Sequence, residues 1–225
     1  MIFDLEKFRQ GKAYDLIMGL PLIAWFVYVM IGLRPVLGGY ARDLMADPGN
    51  IYLNLRFFAY FSSACFALLN IVLIVLRTAP VRRARGFVPR AFAVAGTFLG
   101  VGINYLSPAE LSPYWESLAV ILILVGSIGS VIAISNLGKS FSIMPEARKL
   151  VTSGPYAFAR HPLYAAETLS IAGTAILYRQ PWAVLLAVCV YCLLVIRSHF
   201  EEQVLTEQYP EYTEYKKRVK RFGFV

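Results

Sequence analysis

Two short stretches of this sequence hold most of the side chains that could bind a polar ligand or do chemistry. The first, SGPYAFARHPLYAAE at residues 153–167, sets Arg160 and His161 between Tyr156 and Tyr164, with Gly154, Pro155 and Pro162 breaking the backbone around them. Glycine and proline so placed make turns, and turns leave backbone N–H and C=O groups free for a ligand. Pro162 also biases His161 to an extended backbone, which holds its ring away from a helix ladder. The second stretch is VIRSHFEEQVLTEQYPEYTEYKKRV. On a helix, Arg197 and Glu201 stand at i and i+4 on one face, while His199 and Glu202 point elsewhere.

Blander readings stand beside these. Arg160 and Tyr164 suit a membrane boundary, with the arginine reaching headgroups and the tyrosine in the interfacial belt. Arg197 and Glu201 suit an interfacial helix with a surface ion pair worth less than about 1 kcal/mol. A metal site is the weakest reading, because the chain's two histidines and scattered carboxylates have no ligand spacing.

The elements that position these residues follow from composition. Of 225 residues, 58% are hydrophobic and 16% charged, too little polar surface for a soluble domain of this size. Six apolar runs have the length or composition of membrane helices: 16–33, 57–76, 91–106, 117–134, 165–178 and 181–196. The last two are separated by Arg179-Gln180 and followed by Pro181, which predicts a tight helical hairpin with arms barely long enough to cross; one long kinked segment is the alternative. Gly96 with Gly100 and Gly126 with Gly129 give close helix contact a sequence signal. The fold class expected is therefore all-α and integral to the membrane, with about six crossings. Residues 1–135 supply four of them, and 136–225 form a C-terminal region in which the hairpin brings the segments flanking it, 135–164 and 197–225, together as a two-part pocket.

Charge placement sets the sidedness. Lys7, Arg9 and Lys12, then Arg77, Arg82, Arg83, Arg85 and Arg90, then Lys139, Arg148, Lys149 and Arg160, then the basic tail alternate with segments 107–116 and 179–180, which are poor in Lys and Arg. That pattern predicts a multi-pass protein with both termini cytoplasmic, blurred only by Arg34, Arg42 and Arg56 in an expected 34–56 loop. Residues 1–15 are charged and the first apolar run is of spanning length, so no cleaved leader is expected. The net charge of +8 lies between apolar runs and in the tail, which favours an anionic lipid surface over nucleic acid. Cys65, Cys189 and Cys192 all lie in apolar runs and read as packing residues.

LVTSGPYAFARHPLY, followed by EEQVLTEQYPEYTEYKKRV, resembles the isoprenylcysteine carboxyl methyltransferase family, integral membrane enzymes that use S-adenosylmethionine. Phospholipid methyltransferases share a related RHPxY and paired-glutamate pattern. The resemblance covers residues 136–221 and implies a methyltransferase acting on a lipid-like or lipidated acceptor at the cytoplasmic face, carboxyl methylation first of all. It implies cofactor contacts at Arg148, Lys149, Leu150, Val151, Tyr156, His161, Pro162, Leu163, Tyr164 and the pair Glu201 and Glu202. It further implies Arg197 and Glu201 at the catalytic centre, with Arg197 facing a substrate carboxylate, and no metal. Pro210 stands where the family usually has glycine, and RFGFV lacks the customary proline. The other readings are a phospholipid N-methyltransferase, an NADPH-dependent sterol-type reductase of related architecture, and a non-enzymatic transporter or scaffold. The last should place polar residues in mid-membrane, where only Asn70 and Glu167 stand out.

Overall fold

The computed structural model describes residues 11–107 and 110–223; Lys7 and Arg9, counted above toward sidedness, lie outside them. Two long helices come first, α1 (Lys12–Ala46) and α2 (Ile51–Leu76). The first corrects an expectation, since residues 34–46 continue the helix and only a four-residue link separates it from α2. Pro21 and Pro35 lie inside α1, where each removes one backbone donor without ending the helix. The turn comes instead at Asp47-Pro48-Gly49-Asn50, where Asn50 caps α2 by accepting from the N–H groups of Tyr52 at 3.1 Å and Leu53 at 3.2 Å.

A two-residue strand β1 (Arg82–Arg83) leads to α3 (Val88–Phe98), which tightens into a 3₁₀ segment, Leu99–Tyr105. Then come α4 (Pro113–Leu137), strand β2 (Glu146–Ala147), α5 (Pro162–Tyr178), α6 (Pro181–Gln208) and the short α7 (Tyr212–Arg218). The strands pair antiparallel, Arg82 opposite Ala147 and Arg83 opposite Glu146, and clip the segment after α2 to the one that leads into Arg148. All six apolar runs are helical. Four helices are long and apolar enough to cross a membrane, whereas Val88–Ile103 and the 17-residue α5 are shorter. Ile17, Met18, Tyr28, Ile31, Val125 and Val184 stand exposed on the long helices, the signature of a lipid-facing surface.

The hairpin forms as expected. Arg179 takes the left-handed conformation (φ 42°), the only non-glycine with positive φ among the described residues, and Pro181 opens α6 at its first turn. The links gather at two ends of the bundle. At one, Arg56 pairs with Glu116 and the Gln180 amide donates to the Ser107 carbonyl at 2.6 Å. At the other, the 77–85 and 138–161 segments meet the polar extension of α6, which runs beyond the apolar stretch to Gln208.

The closest packing is between α4 and α5. A Cβ on Gly126 would sit 2.6 Å from the Ala166 carbonyl oxygen, and one on Gly173 would sit 2.6 Å from that of Ala119. Of the two glycine pairs in the sequence, the one that begins at Gly126 thus marks a place where two backbones nearly touch. Gly126→Ala is expected to destabilise the protein by about 1–3 kcal/mol through overpacking, read as a lower unfolding midpoint in detergent. Gly32→Ala, in open space on α1, should leave the midpoint unchanged or raise it.

Candidate active site

The site is built where α5 begins and α6 leaves the apolar zone. Gly138 ends α4 with positive φ, and the chain then runs through turns to Gly154. There a positive φ of 61° and the Asn136 amide oxygen, 2.3 Å from where a Cβ would stand, leave no room for another residue. The following turn delivers Arg160 and His161 to the start of α5. Because α6 stays helical past residue 196, Arg197 and Glu201 do fall on one face, with Arg197 Nε donating to Glu201 at 3.0 Å. This is no surface ion pair, for Arg197 is only 5% exposed.

A cleft opens between these segments, lined by Arg148, Lys149, Leu150, Val151, Tyr156, His161, Leu163, Tyr164, Arg197 and Glu201. Ten of the residues singled out in the sequence therefore share one wall. Pro162 and Glu202 are not among its lining. Pro162 sits in the first turn of α5, and Glu202 faces the other way, into a cluster of cations.

Glu201 is held from three sides. Tyr164 donates its hydroxyl at 2.5 Å, Arg197 its Nε at 3.0 Å, and the His161 ring lies 3.8 Å from its second oxygen. The Arg197 guanidinium also lies 5.0 Å above the Tyr164 ring, and His161 stacks on that ring from 5.2 Å. The second glutamate is a structural hub. Glu202, 2% exposed, receives Arg160 Nε at 3.0 Å and Arg221 Nε at 3.2 Å, and lies within 3.2 Å of His161 Nε2 and 3.3 Å of the Lys216 ammonium. The tail is laid over the site by backbone as well, the Arg160 and His161 N–H groups donating to the Lys220 and Arg221 carbonyls at 2.9 and 2.8 Å.

Residues that sequence reasoning did not select complete the cleft. Tyr209 donates to the Arg148 carbonyl at 2.9 Å and Tyr215 to the Tyr156 carbonyl at 2.5 Å, so the tail tyrosines pin the 148–156 segment from behind. Asp15 of α1 binds Arg148 Nη2 at 2.8 Å and Arg77 Nε at 2.7 Å, and Glu146 shares the same Arg148 nitrogen at 2.8 Å. The Arg148 side chain is then wholly buried, yet its Nε and Nη1 have no partner among the described residues. Buried donors of that kind are costly to leave unmade. Among the described residues, no three His, Cys, Asp or Glu side chains converge as a metal ion would need.

Apolar helices carrying a charge-lined cleft at one end define an all-α integral membrane protein with a candidate site at the end of its bundle. Residues 115–212 match the phospholipid methyltransferase family model. Protein-S-isoprenylcysteine O-methyltransferases A and B of Arabidopsis thaliana are 34% identical over 128 residues and 31% over 118, covering 50% and 48% of this chain and 65% and 60% of theirs. A nickel-cobalt-cadmium resistance protein of Alcaligenes xylosoxydans xylosoxydans is 29% identical over 115 residues, 48% of this chain and 51% of its own length. The chain thus spans about half to two thirds of the relatives it matches. Over this C-terminal region the chain is similar both to isoprenylcysteine O-methyltransferases and to the phospholipid methyltransferase family.

Two measurements probe this architecture. Glu202→Ala strands the half-buried guanidinium groups of Arg160 and Arg221, with the more exposed Lys216 beside them, and is expected to cost about 3–5 kcal/mol, measured as a loss of unfolding midpoint larger than that of any single cation partner. Burial, with the Glu202 charge adding to it, pushes the Tyr215 hydroxyl up to about 12 from its ordinary 10. A raised phenol binds its proton more tightly in the folded state, so stability is full below pH about 10 and declines as pH climbs through about 12. Melting curves across that window should fall for the wild type and flatten in part for Tyr215→Phe.

Proposed function

We propose that this protein is an S-adenosylmethionine-dependent methyltransferase acting at the cytoplasmic membrane face on a lipid-like or lipidated acceptor, with both termini cytoplasmic. The observation that carries the reading is the donor set of the cleft. Arg148 brings two buried donors without acceptors, Glu201 brings a carboxylate, and Tyr156 and Tyr164 bring rings. A methionine moiety presents a carboxylate and an ammonium, and adenosine presents a flat base, so each group has a complement. Leu150 and Val151 add apolar surface, and Lys149 a further cation at the rim. The basic residues at this end of the bundle support the cytoplasmic orientation.

When bound, S-adenosylmethionine supplies a methyl group already activated on a sulfonium, so the protein's task is chiefly to position the partners. Glu201 is pre-set for that task, since Tyr164, Arg197 and His161 fix its oxygens. His161 acts from the side, its ring held between Glu202 and the Tyr164 ring, so it contributes to the cleft wall and fixes the turn as well. Arg197 stands at the floor of the cleft, facing an acceptor that arrives from the membrane. For the isoprenylcysteine carboxylate that the resemblance implies, it is the available cation, and its Nη1 has no partner among the described residues. The enclosed part of the cleft is about 100 Å³, less than the roughly 300 Å³ at which ligand pockets begin. Loading therefore requires its walls to part, and the tail laid across Arg160 and His161 is the segment placed to move.

Titration calorimetry of the detergent-purified chain with S-adenosylhomocysteine tests this directly: binding is expected, and its absence overturns the reading. His161→Ala and Glu201→Ala should each weaken that binding by about tenfold or more, as loss of a buried charged partner does. Arg197→Ala should chiefly reduce methyl transfer to the acceptor. Equal losses of cofactor affinity in all three would refute the division of roles.

A further inference from the structure

A groove of about 880 Å³ runs along the outside of the helical hairpin, between α5 and α6. Trp182, Val184, Val188 and Tyr191 stand exposed along that side of α6, so the groove faces lipid. Arg179, Gln180 and Pro181 of the hairpin tip line one end, and Trp115 from the start of α4 flanks them there. From the tip the lining extends over 168–179 on one arm and 181–191 on the other. Three turns of helix rise about 16 Å, half of a hydrocarbon core about 30 Å thick. The groove is therefore as long as one leaflet is deep, and it starts at the end of the bundle remote from Arg197 and Glu201.

Its walls are apolar, with Ala172 and Ala175 of α5 and Ala187 of α6 leaving the hollow that larger side chains would fill. Only one charged residue lines it, Arg179. The Arg179 backbone N–H is spent on the Ala175 and Ile176 carbonyls at 3.2 and 3.1 Å, whereas its guanidinium makes no hydrogen bond or ion pair among the described residues. Glu116, in the first turn of α4 at the same end, is taken up by Arg56. Arg179 also holds a left-handed backbone that glycine or asparagine would adopt more easily, so the charge is kept at the tip at a cost in backbone energy. A guanidinium so placed, at the polar boundary of a lipid-facing groove, offers its fork of donors to a phosphate.

We propose that this groove holds one acyl chain of a phospholipid from the leaflet remote from the cleft, and that Arg179 binds its phosphate and so prefers an anionic headgroup to a zwitterionic one. Length and charge both select this occupant. A chain of that leaflet is as long as the groove, and its phosphate then falls at the level of the hairpin tip, beside the free guanidinium. A zwitterionic head carries its own ammonium next to the phosphate and has less need of Arg179; an anionic head has no such internal partner. A helix of a second chain would instead need contact through the full thickness of the membrane, whereas the groove stops at Tyr191, whose ring lies 6.3 Å from that of Phe222 in the tail. The bound lipid is distinct from a methyl acceptor, whose head would stand at the opposite end of α6, so the inference does not rest on the methyl-transfer reading.

Trp115 is the reporter for the test. Full-length protein carrying Trp25→Phe and Trp182→Phe keeps it as the one indole, and a lipid chain brominated along its length quenches an indole that it touches. The protein is reconstituted in phosphatidylcholine vesicles containing rising fractions of chain-brominated phosphatidylglycerol or chain-brominated phosphatidylcholine, and the quenching curves give the relative affinity of the two heads. Phosphatidylglycerol is expected to bind about fivefold more tightly, the factor that one cation at a lipid surface supplies. Arg179→Gln should bring the ratio below about twofold. Arg34→Gln, which removes an exposed arginine of α1 outside the groove, should leave it unchanged. Ala172→Phe, which puts a ring into the groove, should reduce quenching by both lipids. A ratio below about twofold in the parent protein, a preference that survives Arg179→Gln, an equal loss in Arg34→Gln, or quenching indifferent to Ala172→Phe would each overturn the proposal.

Discussion

The buried carboxylate of Glu202 is the constraint on which the site depends. It stands on α6 and gathers Arg160 and His161 from the turn before α5 and Lys216 and Arg221 from the tail. Without it, three segments distant in sequence would present like charges to one another. With it, the two ends of the helical hairpin and the tail become one surface, and the cleft is the hollow that surface leaves. The neighbouring Glu201 is then left to line the cleft, because its sequence twin meets the structural demand. Adjacent positions on a helix point about a hundred degrees apart, so two successive carboxylates serve two different spaces.

Much of this was readable before any coordinates. A chain that crosses lipid must satisfy its backbone within helices, so long apolar runs admit little else, and all six proved helical. The hairpin was legible because Arg179-Gln180 interrupts the apolar run and Pro181 suits the first turn of a new helix, and the meeting of RHP with Arg197 and Glu201 followed from the hairpin. The extent of α1 was not legible. Past residue 33 the apolar run gives way to Arg34, Arg42 and Arg56, and 34–56 read as a loop, yet the terminating signal was the Asp-Pro-Gly-Asn turn, where Asn50 could cap the next helix. The role of Glu202 was missed because its cation partners sit 41 residues upstream at His161 and 19 downstream at Arg221, and pairing at such distances has no period to detect.

The N-terminal half, which carried no motif, bears on the site at two depths. Near the membrane's edge, α1 contributes Asp15 to Arg148. Deeper, α1, α2 and α3 supply most of one wall of a cavity beneath Arg197. The division into an N-terminal set of helices and a C-terminal methyltransferase region thus describes the sequence signal better than it describes the site, whose floor is shared between them.

The Asp15 contact has a consequence for descent. Arg77, Arg83 and Arg148 all converge on this one carboxylate, across 133 residues in the case of Arg148. A lineage that exchanged its first helix for another apolar helix would keep every hydrophobic requirement of a crossing and still inherit three arginines with their shared counter-charge gone. Recombination between relatives at the 47–50 turn, the natural seam by length and composition, is therefore viable only when the incoming helix brings an acidic residue at the same height. What looks like an interchangeable membrane anchor is bound to the rest of the chain by a single charge.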